Sequence, residues 1–267
     1  MINIIAGGCS FTHDPDSWAN ILKNKLSNDY TITNIAEGGV GQEYIVRCTI
    51  DKLEKTQGPK VCMVQFSGWT RLELIVDQNE NQERFQKLLN DKKHAGTDPS
   101  RLWYDSSKIL LLRTTDRGHN WFEFGSYAGK LVDKINRIIS FDQRLMWSYE
   151  HIARLQWYCK INNIPLFCFY GWQDCKEKGY NVNLVDKSRR LVDWNNFWFH
   201  GKEGGMAEWM LDHGHHGKLE EDKTNTPPTG IGFDPVLNRS MMVGHPTPEA
   251  HNHFCDEIIM PWIKQND

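Results

Sequence analysis

The stretch Met1-Ile2-Asn3-Ile4-Ile5-Ala6-Gly7-Gly8-Cys9-Ser10 decides how the rest of the chain is read. Five of its first six residues are apolar or small, and a glycine pair closes the run. A short apolar run ended by glycines is the mark of a strand buried on both faces. A serine just past such a strand stands in the loop where an α/β sheet opens its crevice. The same pattern returns downstream. Tyr30 to Ala36 is a second strand, broken by Gly38, Gly39 and Gly41. Lys60 to Phe66 is a third, and Pro165 to Tyr170 a fourth.

Helical patterns lie between these strands. Asp16 is placed to cap a helix from Ser17 to about Leu26 that carries Trp18, Ile21 and Leu22 near one face. Gln42 to Lys55 predicts another helix. Tyr127 to Asn162 reads as one long helix, and Pro248 opens a last one that runs to about Lys264. Strands alternating with helices indicate parallel βαβ units. The expectation is one α/β unit over residues 1–267 with a mostly parallel sheet. Two polar stretches, about 77–125 and 174–229, read as long insertions, the first with short helices. No internal repeat and no low-complexity tract stands out.

Composition narrows the function classes. The chain has 267 residues, with 31 Lys and Arg against 34 Asp and Glu, a net charge of -3. That balance argues against a protein that coats nucleic acid. No run of about 18 apolar residues suggests a membrane span. Met1 to Ser10 lacks the basic region of a signal peptide, so cytoplasmic-type expression without a leader is expected. The seven cysteines form no Cys-x-x-Cys pair, and the expectation is free, buried thiols. Eleven tryptophans are many for this length. Most suit core packing, and some suit a groove for sugar rings.

In open α/β sheets the ligand site lies beyond the carboxyl ends of the strands. The loops after the first three strands should therefore meet. They carry Gly8-Cys9-Ser10, then Glu37 to Gly41, then Ser67-Gly68-Trp69-Thr70-Arg71. Ser10 is placed to act as a nucleophile, and its own N–H and that of Gly39 to face an oxyanion. Gly244-His245-Pro246-Thr247-Pro248 holds His245 in a short segment just before the last helix, where it would serve as general base. A turn serine and a solvated histidine are the plain alternatives.

At these residues the chain resembles the GDSL/SGNH-type hydrolases. Gly8-Cys9-Ser10 resembles their first block, Asn34 to Gly41 their second, and His245-Pro246 their fifth. The start of the chain, with Arg71 and Glu73, is also similar to divergent members common in bacteriophage genomes. The resemblance implies a flavodoxin-like three-layer α/β/α sandwich. It implies a serine esterase that removes an acetyl or other short acyl group from a carbohydrate or lipid, without a cofactor. The pattern departs from the family at three places. Cys9 stands where the family has aspartate. The third block lacks its asparagine, which leaves Ser67 and Gln65 as candidate oxyanion donors. Met242 occupies the position of the triad aspartate, so the orienting group becomes Asp234, Asp212 or a backbone carbonyl, or is absent. Arg71 is a candidate for binding an anionic part of the substrate, with a structural ion pair as the alternative.

Two other readings compete. Asp212-His213-Gly214-His215-His216, with His200, His251 and His253, could ligate a divalent metal, although the glycines suit a solvated loop. The missing asparagine and aspartate suit a hydrolase-fold protein that binds carbohydrate or builds a particle, the virion included. The expected partner is a small-molecule or glycan ester, not nucleic acid or membrane. Whether copies of the chain associate, or join a larger particle, is left open by the sequence.

Overall fold

The structure is a computed structural model and describes residues 1–69, 71–77, 82–83, 87, 109–114, 127–172, 182–215, 217–218, 231–234, 239–242 and 245–266. Strand β1 (Ile2–Gly7) leads into a one-turn helix α1 (Ser10–His13) and then α2 (Trp18–Lys25). Strand β2 (Tyr30–Asn34), helix α3 (Gln42–Lys55) and strand β3 (Lys60–Phe66) follow. Next come β4 (Leu72–Asp77) and β5 (Ile109–Thr114), helices α4 (Tyr127–Ile138) and α5 (Phe141–Ile161), and strand β6 (Leu166–Tyr170). The remaining elements are α6 (Val182–Arg189), β7 (Phe197–Trp198), α7 (Met206–Asp212), β8 (Gly217–Lys218), β9 (Ile231–Asp234), β10 (Arg239–Met242) and β11 (His245–Pro246). Helix α8 (Pro248–Phe254) continues through a π turn (Cys255–Ile259) into α9 (Met260–Gln265).

The central sheet has five strands in the order β2-β1-β3-β6-β7, every pairing parallel. Renumbered along the sheet this is the 2-1-3-4-5 order of flavodoxin-like folds. Register is fixed by Ile4 opposite Ile32, Ile5 opposite Cys62 and Val64 opposite Cys168. These residues are apolar on both faces because helices cover both, as parallel sheets require. One face packs Ile5, Cys62, Val64 and Cys168 against α3 and α5 through Ile45, Val46, Ile152 and Leu155. The other packs Ile4, Ala6, Met63 and Phe169 against α2, α7 and α8 through Trp18, Leu22, Met210 and Phe254. The result is the expected three-layer α/β/α sandwich with a mostly parallel sheet.

Three expectations change. The helix predicted over Tyr127 to Asn162 is two helices, broken at Ile139–Ser140. Ser140 caps the second, its hydroxyl accepting from the Gln143 N–H at 3.2 Å, and a serine N-cap stabilises a new start more than continuation would. The stretch 174–229 contributes the fifth parallel strand, β7, so its middle belongs to the sheet. Two residues are too few to show a period. Within 77–125, the described strand β5 pairs antiparallel with β4.

Among the described residues six cysteines are free, and five of those are buried. Burial pushes the Cys62 and Cys168 thiols well up and Cys255 to about 12, which keeps them protonated and inert. Cys175 lies outside the described residues. Among those described, no helix is long and apolar enough to cross a membrane.

Candidate active site

The site is built at the carboxyl end of the sheet, starting from Gln65, the penultimate residue of β3. Its side chain is fully buried. Oε1 accepts from the Cys9 N–H at 3.3 Å, the Cys9 thiol at 3.3 Å and the Thr12 hydroxyl at 3.2 Å. Nε2 donates to the Phe66 carbonyl at 2.6 Å. Thr12 in turn accepts from the Trp18 indole N–H at 2.9 Å. This network fixes the turn that presents Ser10 at the start of α1. Gly8 is required there, because a Cβ would sit 2.3 Å from Thr12 Oγ1. Cys9, in the position where aspartate resembles the family better, is a buried thiol donor to that amide. Ser10 is half-buried, with Oγ 4.0 Å from Cys9 Sγ.

The second loop is stitched to α1. Asn34 Nδ2 donates to the Thr12 carbonyl at 2.7 Å, His13 Nδ1 to the Ala36 carbonyl at 2.9 Å, and the Glu37 N–H to the Gly8 carbonyl at 3.3 Å. These bonds carry the chain into the turn at Gly39, whose φ of 75° is left-handed and favours glycine.

The far side of that loop is held by Glu73, on β4. One carboxylate oxygen accepts from the Gly41 N–H and the other from the Tyr44 N–H. Both amides belong to the start of α3, where a negative charge also meets the positive end of the helix dipole. Burial raises the Glu73 pKa, opposed by those two N–H groups and by Arg47.

Ser67 and Gln42 form a reciprocal pair. Ser67 Oγ donates to Gln42 Oε1 at 2.9 Å, and Gln42 Nε2 donates to the Ser67 carbonyl at 2.7 Å and the Ser148 hydroxyl at 3.0 Å. Ser67 and Gln65, the expected oxyanion donors, are thus both buried: the Ser67 hydroxyl donates to Gln42, and one of the two Gln65 amide N–H groups donates to Phe66.

Strand β11 brings His245 to α1. Its Nδ1 lies 3.7 Å from Asp14 Oδ2, and its ring meets Phe11 edge to face at 5.8 Å. The first turn and the last strand of the chain thus share one place. Asp14 follows Ser10 by four residues, a spacing that puts both on one side of a helical turn. A helix over Ser10–His13 is the signal that points to Asp14; the sequence pattern alone points to Asp234 and Asp212 instead. Asp212 does not face His245: it pairs with His200 at 2.6 Å. Asp234 lies on β9, and its side chain falls outside the described residues.

Arg71 sits between the second and third loops. Nη1 donates to the Val40 carbonyl at 3.3 Å, and the guanidinium lies 5.0 Å over the Trp172 ring. Trp172 meets Phe11 edge to face at 5.5 Å. Arg71, Trp172, Phe11 and His245 are thus successive neighbours.

The histidine-rich segment is internally engaged. His215 Nε2 and His253 Nδ1 share a hydrogen bond of 2.8 Å, His253 Nε2 is 3.0 Å from Glu257, and His213 Nδ1 donates to the Trp209 carbonyl at 2.7 Å. Among the described residues no group of three His, Cys, Asp or Glu is placed to hold a metal ion. His216 lies outside the described residues.

No protein-family model matches the chain, and no curated protein matches it. Among solved structures, the chain is similar to a member of the lipolytic protein G-D-S-L family from Veillonella parvula DSM 2008. That likeness covers 72% of this chain and 96% of the other at 12% identity, with a TM-score of 0.24. A score that low carries no argument about function.

Proposed function

We propose that the protein is a serine ester hydrolase that removes a short acyl group from a carbohydrate or lipid. The observation that carries this reading is His245 packed on the helix that Ser10 begins, with its Nδ1 beside Asp14. Ser10 Oγ attacks the ester carbonyl while His245 Nε2 takes its proton. Asp14 faces Nδ1, favours the tautomer with its proton there and stabilises the imidazolium. The tetrahedral oxyanion is held by the backbone N–H groups of Ser10 and Gly39. Collapse expels the alcohol, which leaves with the proton from His245. Water then attacks the acyl-serine by the same route, releasing the acid and restoring Ser10.

The test uses a fluorophosphonate probe and an activated acetyl ester, on the wild-type protein and on Ser10→Ala. Labelling and turnover that vanish in Ser10→Ala support the proposal. Equal behaviour of the two proteins sinks it.

A second reading, a hydrolase-fold protein that binds glycans or builds a particle, is favoured by the buried state of Gln65 and Ser67. The oxyanion site then lacks a side-chain donor, a loss worth about 100- to 1000-fold in rate. A wild-type protein that binds an ester-bearing glycan yet never labels would support that reading.

A further inference from the structure

The two N–H groups assigned to the oxyanion come from separate segments. Ser10 opens α1, and Gly39 stands in the loop after β2. The chain runs through α2 and β2 between them, so connectivity alone does not set their spacing. An oxyanion can accept from both only if that spacing is held.

Asn34 is the last residue of β2, in register with Ala6 of β1, and it is half-buried. Its side chain reaches over the carboxyl end of β1 to the helix that follows. Nδ2 donates to the Thr12 carbonyl at 2.7 Å, and Oδ1 accepts from the Ala36 N–H at 3.0 Å. The second bond is the turn that asparagine makes with the backbone two residues on. The first meets a need of α1. A one-turn helix leaves its last carbonyls without helical partners. The Thr12 carbonyl is filled by the Ser17 hydroxyl at 2.7 Å and by Asn34. One amide is therefore bonded at one end to the helix that Ser10 begins and at the other to the loop that carries Gly39. Two further ties cross the same seam, from His13 Nδ1 to the Ala36 carbonyl and from the Glu37 N–H to the Gly8 carbonyl. They keep the segments adjacent when the amide is removed, so its loss changes their spacing more than their fold.

We infer that Asn34 is a positioning residue, whose amide sets the distance between the Ser10 and Gly39 N–H groups. The inference rests on the hydrolase reading, because a developing oxyanion is what uses that distance. A misplacement of about 1 Å can cost about 100-fold in rate.

The experiment follows fluorophosphonate labelling in time, at several probe concentrations, on wild type, Asn34→Ala and Asn34→Asp. Asn34→Asp keeps the acceptor for the Ala36 N–H and sets a carboxylate oxygen against the Thr12 carbonyl. In both variants the labelling rate at saturating probe should fall at least about tenfold. The half-saturating concentration should move less than about twofold, and the labelled fraction should still reach completion. A merely structural role would do the opposite, lowering the fraction that labels while what remains reacts at the wild-type rate. That result, or variants that label fully at the wild-type rate, overturns the inference and leaves the hydrolase reading intact. A wild-type protein that never labels sinks the hydrolase reading and takes this inference with it.

Discussion

Gln65 shows how a single buried amide can set up a reactive turn. Its one oxygen satisfies a backbone N–H, a thiol and a hydroxyl. Replacing it with an apolar residue of similar size leaves those donors buried without an acceptor, a cost of about 1–3 kcal/mol for each unsatisfied group. Gln65→Leu should therefore unfold at clearly lower urea concentration, and its folded fraction should label poorly with fluorophosphonate because the Ser10 turn loses its anchor. A variant that unfolds like wild type would show that the amide is dispensable. Glu73 gives a second test at this scale. Its pKa is raised on folding, so the folded state takes up a proton in the window just above the ordinary carboxylate range. Stability from this group is greatest below its unfolded pKa and falls as pH rises through the folded pKa. Glu73→Gln keeps one acceptor for two N–H groups and should lower stability at neutral pH by about 1–2 kcal/mol. Urea midpoints at pH 4 to 8 should show that the variant has lost the decline with pH that Glu73 imposes. Neither role could be seen in sequence, where both residues are single polar side chains near a strand end. Ser10, Gly39 and His245 stand out in the sequence as candidates because glycine and proline punctuate the chain around them.

At the scale of elements, four of the five sheet strands could be read directly. Each is an apolar run bounded by glycine, proline or a charged residue. The fifth, β7, has two residues inside a polar stretch and takes its place because Phe197 stacks between Phe66 and Phe199 at 5.9 and 4.9 Å. That is a tertiary reason, and no local pattern encodes it. Helix α5 carries a testable consequence of its own. His151 has its pKa held down to about 4, chiefly by desolvation and then by Arg154 and Arg47. The unfolded chain takes a proton near 6.5 that the folded one refuses until about 4. Stability from this histidine is therefore full above 6.5 and lost as pH falls toward 4, with an upper bound of about 3 kcal/mol. His151→Gln should flatten the pH dependence of the unfolding midpoint between 6.5 and 4. An unchanged slope would mean that the ring is protonated in the folded state.

Across the whole molecule, the proposed site exists because the two ends of the chain are locked together. Trp18 from the N-terminal part meets Phe169 of the sheet at 5.6 Å, and Phe169 meets Phe254 of the last helix at 5.2 Å. Cys255 Sγ donates to the Trp18 carbonyl at 3.2 Å, and Lys25 pairs with Asp256 at 2.7 Å over the same junction. The exposed ion pair adds little, so the edge-on and tilted ring contacts carry the joint. Sequence reading put His245 just before the last helix but offered no means of seeing what the helix packs against, since ring contacts between distant segments leave no period. Helix α8 is seated by these contacts, and its N-cap Thr247 directly follows β11. Position and chemistry can accordingly be separated by two variants. Phe254→Ala should cost about 3–5 kcal/mol as it opens a cavity among Phe169, Trp198 and Trp209. Activity should then be lost in step with folding, as urea unfolding and ester turnover followed on the same samples would report. His245→Ala removes a half-exposed ring and its edge contact with Phe11, so stability should fall by no more than about 1.5 kcal/mol while turnover falls at least about 100-fold. If His245→Ala turned over the ester at the wild-type rate, the histidine would be a neighbour of Ser10 and not its base. If Phe254→Ala kept full stability, the joint between the chain ends would have to reside elsewhere.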